Sequence, residues 1–168
     1  MVKPRQRVSY NGFYSSNQLR FWCGFIVNGS AMNGSFSISG FSAAVPSKVL
    51  TNHDIAQFVE TSDQWIVDRT GIKSRHMLSE GEVSTDFAVI AAREALQKSG
   101  VAPSEITHVI TATCTADYLC PSNACVIASQ LGIGPAMLFD LNAACSGFVY
   151  GLEVSRGLFA IHPQSRIL

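Results

Sequence analysis

The sequence has few charged residues and no excess of either sign. Only 14% of its 168 residues are Asp, Glu, Lys or Arg, and 12 basic residues balance 12 acidic ones. A chain of this kind lacks the basic footprint of a domain that binds nucleic acid or anionic lipid, so we expect neither partner. Because 47% of the residues are hydrophobic, we expect a large buried core or a large interface.

The sequence also lacks a long apolar run and a metal-binding pattern. No run approaches the ~20 apolar residues that a membrane-spanning helix needs. The five cysteines, at positions 23, 114, 120, 125 and 145, are odd in number and include no CxxC pair. Their spacing fits no zinc motif, so we predict free thiols, a reducing compartment and no bound metal. We interpret Cys114 and Cys125 as core residues of a strand and a helix.

Residues 1–31 have no acidic residue, and the first of the whole chain is Asp54. Three interpretations remain open: an organelle transit peptide, a weak signal peptide, or a segment upstream of a true start at Met32. We favour the third, in which residues 1–31 are an extension outside the fold, either disordered or a mis-assigned start. The folded domain would then be residues 32–168.

From residue 35 onward, predicted strands alternate with predicted helices. Apolar runs indicate strands at 35–41, 108–113 and 136–141, and a further strand begins at Arg166. Capping residues and closing glycines predict helices between them: a short helix after Thr51, another before Gly71, and helices at 84–99, 121–132 and 145–161. This alternation predicts an α/β domain with a mostly parallel sheet.

Cys145 follows a predicted strand and a run of small residues and opens a predicted helix. Unpaired backbone N–H groups and the positive end of a helix dipole favour the ionised sulfur, which is the nucleophile. Covalent acyl transfer is the chemistry that this placement indicates. The alternative is a buried cysteine that packs as a small hydrophobe.

Trp65 and Arg69 lie four residues apart on one predicted helix. An indole and a guanidinium at this spacing can hold a nucleobase by stacking, and the guanidinium can also reach a phosphate. The alternative is an amphipathic helix with a core tryptophan and a solvated arginine.

Two segments resemble one family, β-ketoacyl-acyl-carrier-protein synthase III. Residues 140–148, DLNAACSGF, resemble its nucleophile segment, and residues 61–72, TSDQWIVDRTGI, resemble its signature at the coenzyme A end of the tunnel. The resemblance runs from Ser35 to Leu168 and corresponds to the N-terminal half of a family member. It implies a thiolase-like fold, here the N-terminal half of a pseudo-symmetric αβαβα architecture that stops in a central strand.

The resemblance also implies an activity and its residues. The family starts fatty acid synthesis: it condenses an acyl-coenzyme A primer with malonyl-acyl carrier protein through an acyl-cysteine. Cys145 corresponds to the nucleophile, and Thr61, Trp65 and Arg69 correspond to coenzyme A contacts. Cys120 falls where many relatives carry a Phe that closes the partner subunit's acyl pocket. The family is a cytoplasmic homodimer without a cofactor; a plastid or another organelle is the alternative location if residues 1–31 are a transit peptide.

The family's catalytic His and Asn lie in its C-terminal half, and none of the four histidines here matches that motif. We therefore expect this chain alone to lack condensing activity and to be poorly soluble. Two alternatives stay open: a related ketosynthase or acyltransferase of secondary metabolism, and a non-catalytic partner subunit.

Overall fold

The computed structural model describes residues 22–29 and 36–168. The strands within these residues are β1 (Trp22–Gly29), β2 (Phe36–Ala44), β3 (Lys48–Thr51), β4 (Ser74–Met77), β5 (His108–Ala112), β6 (Met137–Leu141) and β7 (Arg166–Ile167). The α-helices are α1 (Asn52–Ala56), α2 (Asp63–Thr70), α3 (Ser84–Ser99), α4 (Asn123–Leu131) and α5 (Gly147–Ile161).

The main sheet has five strands in the order β2-β1-β7-β5-β6. β5 runs parallel to both β6 and β7, whereas β1 runs antiparallel to both of its neighbours, β2 and β7. β3 and β4 pair with each other in a separate two-stranded sheet. The predicted α/β class is confirmed for this part of the chain, but the sheet is mixed and not mostly parallel, because β1 runs antiparallel to both of its neighbours.

β1 corrects the expectation that residues 1–31 lie outside the fold. All eight of its residues pair with β2, and Val27 and Asn28 also pair with β7. The described part of the apolar run, from Trp22 to Val27, is therefore a sheet strand, in which Gly24, Ile26 and Val27 are buried. The remaining residues of the predicted extension, 1–21 and 30–31, lie outside the described residues.

Helices cover the two faces of the sheet. Consecutive residues of β1 separate the faces, since Ile26 packs in the core cluster with α3 and α4 while Val27 packs with Phe159 of α5 and Ile167 of β7. Successive side chains of a strand point to opposite faces. The described residues thus form three layers: α3 and α4, the sheet, and α5.

Two aspartates, Asp117 of the loop after β5 and Asp140 of β6, fix the starts of α3 and α4. Asp117 accepts hydrogen bonds from the backbone N–H groups of Ser84 (3.0 Å) and Thr85 (2.8 Å), as well as from the Ser84 hydroxyl. Asp140 of β6 accepts from the backbone N–H groups of Asn123 (2.8 Å) and Ala124 (2.9 Å). Both carboxylates complement the positive end of a helix dipole. They tie the helices to the sheet edge at which β5 and β6 end.

α5 approaches the sheet closely at its first residue. A Cβ added at Gly147 would lie 3.0 Å from the Ala112 Cβ, so glycine suits this contact. α5 also carries exposed apolar side chains, with Phe148, Val149, Tyr150 and Ile161 between 46% and 71% accessible. Within residues 22–29 and 36–168, no helix combines the length and the apolar character that crossing a bilayer requires.

Candidate functional site

Cys145 lies in a tight turn between β6 and α5. The turn is a 3₁₀ helix, Ala144–Ser146, in which the Ser146 N–H donates to the Ala143 carbonyl at 2.9 Å. α5 begins two residues after the cysteine, not at it as predicted. The side chain of Cys145 is exposed. The thiol is therefore presented at the N-terminal end of a 15-residue helix.

The residue before the cysteine has a strained backbone. Ala144 has φ 44°, and among the described residues it is the only non-glycine with positive φ. An L-residue in this region costs about 1–2 kcal/mol. Such outliers persist where the surrounding structure enforces them, often at functional sites. The strain supports a functional role for the turn that carries Cys145.

A cavity of about 490 Å³ opens beside Cys145. Its wall is formed by residues of α3, α4 and α5, of the strands β1, β5 and β7, and of the turn that carries Cys145, together with Leu168: Cys23, Gly24, Phe25, Val27, Ala88, Ala92, Val109, Ile110, Thr111, Ala112, Ile127, Ala144, Gly147, Phe148, Gly151, Leu152, Ser155, Ile167 and Leu168. The cavity extends from the exposed thiol to residues on both faces of the sheet. An acyl group bound to the sulfur has space on this side.

β1 contributes residues to the site that sequence reasoning did not assign. Phe25 packs against Phe148 of α5, with ring centroids 4.8 Å apart, and against Phe41 of β2, at 5.2 Å. Cys23 lines the same cavity as Cys145. Although Cys23 keeps contact with solvent, partial burial raises the pKa of its thiol. The apolar run at 21–27 was the available signal, but its place in the sheet depends on distant residues.

The other cysteines differ from their interpretation as core residues. Cys114 follows the end of β5 and is exposed, because the strand stops at Ala112. Cys125 of α4 is half-buried and accepts a hydrogen bond from the Ser122 hydroxyl at 3.2 Å. In the part of the chain that the structure describes, no three His, Cys, Asp or Glu side chains group closely enough to hold a metal ion.

The predicted coenzyme A residues lie on and just before α2. Trp65 is 52% exposed, so it is not a core residue. The Arg69 guanidinium carbon lies 4.4 Å from the centre of the indole ring, within cation–π range. The buried hydroxyl of Thr61 has no hydrogen-bond partner among the described residues. This helix thus offers an exposed aromatic face, a cation and an unsatisfied hydroxyl.

A buried asparagine anchors α2 to the rest of the domain. Asn52, at the start of α1, donates to a carboxylate oxygen of Asp63 and to the Ile72 carbonyl, each at 2.8 Å, and accepts from Arg75 of β4. These bonds hold both ends of α2. The exposed pair, Trp65 and Arg69, is therefore carried on a fixed element.

The structure brings together some of the predicted residues and not others. Trp65 and Arg69 contact each other, but none of Thr61, Trp65, Arg69 and Cys120 lines the cavity beside Cys145. Cys120 is exposed on the loop before α4. A role for Cys120 in the cavity of its own chain is not supported by this arrangement.

Curated proteins similar to this chain share one description. A β-ketoacyl-[acyl-carrier-protein] synthase III of Nitratidesulfovibrio vulgaris is 56% identical over 131 residues, which are 78% of this chain and 40% of that protein. The protein of the same description from Campylobacter fetus is 46% identical over 133 residues, again 40% of its length. No protein-family profile matches the chain.

Solved structures lead to the same family. The 3-oxoacyl-[acyl-carrier-protein] synthase III of Aquifex aeolicus superposes with a TM-score of 0.71 at 39% identity, over 76% of this chain and 41% of that one. The priming β-ketosynthase of the R1128 polyketide pathway gives 0.66 at 28% identity, over 86% and 39%. The matched part of the chain belongs to the β-ketoacyl-[acyl-carrier-protein] synthase III family, has its thiolase-like fold, and spans about 40% of the length of its curated relatives.

Proposed function

We propose that this chain contributes the nucleophile half of a β-ketoacyl-acyl-carrier-protein synthase III, which condenses an acyl-coenzyme A with malonyl-acyl carrier protein. The observation that carries the proposal is the exposed thiol of Cys145, on a strained turn at the start of α5 and beside an open cavity. The family membership of the matched residues supports the same chemistry. We also propose a cytoplasmic homodimer, as the family resemblance implies.

The first half-reaction needs only groups that this chain carries. The Cys145 thiolate attacks the thioester carbonyl of acyl-coenzyme A. The bond between the carbonyl carbon and the coenzyme A sulfur breaks, and coenzyme A leaves as a thiolate that takes a proton. The backbone N–H of Cys145 is our candidate donor to the oxyanion that forms during the attack.

The second half-reaction needs groups beyond those present here. Malonyl-acyl carrier protein loses carbon dioxide, and its methylene carbon forms a bond with the acyl carbonyl while the bond to the Cys145 sulfur breaks. The family resemblance assigns the donors to the developing enolate to a His and an Asn of the C-terminal half. We therefore expect acylation, but not condensation, from this chain alone.

The test joins residues 32–168 to the C-terminal remainder of the Nitratidesulfovibrio vulgaris relative. We expect this chimera to form β-ketoacyl-carrier protein from acetyl-coenzyme A and malonyl-acyl carrier protein, measured by mass spectrometry of the carrier. The 168-residue chain should show acyl-protein without product. A folded chimera with no product, or condensation by the chain alone, would refute the proposal.

Arg69 should act in substrate binding and not in the chemical step. Its guanidinium stacks on Trp65 and donates a long hydrogen bond to the Trp65 carbonyl (3.4 Å), which leaves its other N–H groups for a phosphate or a nucleobase. In the chimera, Arg69→Ala should lower kcat/KM for acyl-coenzyme A by roughly tenfold, which is what the loss of one such contact costs. The turnover of a pre-formed acyl-enzyme with malonyl-acyl carrier protein should stay unchanged. Arg156→Ala, which removes an exposed arginine of α5, is the control; equal losses in both half-reactions would contradict the assignment.

Cys120 should influence the length of the primer through the partner subunit. A cysteine is much smaller than the Phe that many relatives carry at this position, so each additional buried CH₂ can gain up to ~0.8 kcal/mol. We expect the dimeric chimera to accept octanoyl-coenzyme A and Cys120→Phe to restrict it to short primers. Leu119→Phe, a change at the neighbouring exposed residue, is the control. Strict preference for acetyl-coenzyme A with Cys120 in place would refute the prediction.

A further inference from the structure

β1 lies inside the main sheet although its residues precede the segment that resembles the family. The resemblance begins at Ser35, whereas β1 ends at Gly29. Its register with β2 runs from Trp22 opposite Ala44 to Gly29 opposite Phe36, and on its other side Val27 pairs with Ile167. A segment from outside the resemblance therefore separates two strands, β2 and β7, that lie within it.

β1 has buried residues on both faces of the sheet. Ile26 is fully buried in the cluster with α3 and α4, and Val27 is 4% exposed on the α5 side. Gly24 fits the backbone of α3 so closely that an added Cβ would lie 2.9 Å from the Ala91 carbonyl carbon. The close packing and burial of β1 are typical of a central strand of a sheet, not of a segment that pairs only at the sheet edge.

Removing β1 would leave a gap one strand wide. Neighbouring strands lie ~4.8 Å apart, so β2 and β7 would be about twice that distance apart. The backbone groups that each directs toward β1 would have no partner, and a buried unpaired backbone group costs as much as a lost hydrogen bond. The gap therefore requires an occupant whenever β2 and β7 keep their positions.

We propose that the space between β2 and β7 is a strand-binding slot, which residues 22–29 fill in this chain. The longer synthase III of Aquifex aeolicus superposes over 76% of this chain, and in it the slot takes a strand from the part of its length that has no counterpart here. The slot selects an antiparallel segment with apolar residues on both faces and a very small residue opposite Ala91. β1 and a strand from the remainder of a longer synthase compete for it, so only one of them occupies it at a time.

The first test uses the full chain. Ile26→Asp should lower the thermal midpoint by more than about 10 °C, because it places a charge in the core. Ile38→Asp, the same change at a half-exposed position of β2, should lower it by only a few degrees. Amide hydrogen exchange of residues 25–28 should be as slow as that of β5. Equal shifts for the two variants, or exchange of residues 25–28 at the rate of an unstructured peptide, would overturn the proposal.

The second test separates the strand from the slot. A chain that starts at Met32 should lose cooperative unfolding, and a synthetic peptide of residues 18–31 should restore it under reducing conditions, as strand addition does in other proteins. The same peptide with Ile26→Asp should not. A Met32 chain with the midpoint of the full chain, or no restoration by the unmodified peptide at millimolar concentration, would overturn the proposal. Neither test depends on the chemistry of Cys145, so failure here leaves the proposed function open.

Discussion

Cys145→Ala should abolish acylation of the protein by acyl-coenzyme A. The substitution removes the attacking sulfur, and loss of a nucleophile in other enzymes lowers the rate by on the order of 10⁴-fold or more. No other thiol should replace it, because none of the other described cysteines lies on a turn at the start of a long helix. Intact-protein mass spectrometry after incubation with acetyl-coenzyme A measures the result directly.

The controls use the other cysteines of the chain. Cys114→Ala and Cys120→Ala remove exposed thiols and should leave acylation unchanged. Cys23→Ala removes a thiol that lines the same cavity but whose pKa is raised by burial, so it too should have little effect. Iodoacetamide should modify Cys145 before these three residues. Peptide mapping that places the acyl group on Cys114, Cys120 or Cys125 would show that another residue is the nucleophile.

Local sequence signals predicted the elements around Cys145 well. Gly100 and Gly132 close α3 and α4 in the left-handed conformation, and the capping box at Thr51 is formed by its contact with Asp54. The sulfur lies between a strand and a helix, as predicted, because both neighbours are signalled by residues next to them in sequence. Only the two-residue offset between Cys145 and α5 was missed. A 3₁₀ turn and a helix start have the same short-range pattern.

Features that depend on distant residues could not be predicted. The N-terminal end of α3 is capped by Asp117, 33 residues away from Ser84, which accepts the hydrogen bonds there. The two-stranded sheet of β3 and β4 pairs Lys48 with Met77 across a gap that contains two helices. β1 was assigned to an extension, since nothing in its own residues reveals the slot that it fills. In each case the partner is fixed by the fold and is not visible in the local pattern.

The candidate site also has one feature that the sequence predicts and one that it does not. The exposed pair of Trp65 and Arg69 follows from their spacing on one helix, and the structure confirms their contact. The part of the Cys145 cavity wall that Cys23 and Phe25 form could not be predicted from the sequence pattern, because it exists only when β1 is paired in the sheet. The spacing of residues along the sequence therefore predicts contacts within one helix. The shape of a cavity depends on how several helices and strands pack together.

Gly40→Ala should destabilise the protein by about 3 kcal/mol or more, the upper range for overpacking a core. Gly40 is a buried residue of β2, paired with Ile26 of β1. A Cβ at this position would lie 2.2 Å from the Ala95 carbonyl oxygen and 2.9 Å from the Ser99 Cβ. The nearest of these atoms belongs to the backbone of α3, which cannot move aside as a side chain can. Relief requires the helix to shift away from the sheet, and the core between them would then lose contact.

Gly157→Ala is the matched control for this substitution. Gly157 lies in α5, and apart from its chain neighbours and the nearby backbone of its own helix no described atom is within 4 Å of a Cβ added there. Because alanine is a better helix former, this variant should be more stable by about 0.5–1 kcal/mol. Urea unfolding followed by circular dichroism gives both free energies of unfolding. We expect opposite signs for the two changes, since the same methyl group meets a helix backbone in one site and open space in the other. If Gly40→Ala were as stable as the unmodified chain, the backbone of α3 could not lie as close to Gly40 as the distances above require. The packing of α3 on β1 and β2 would then be looser than in this structure.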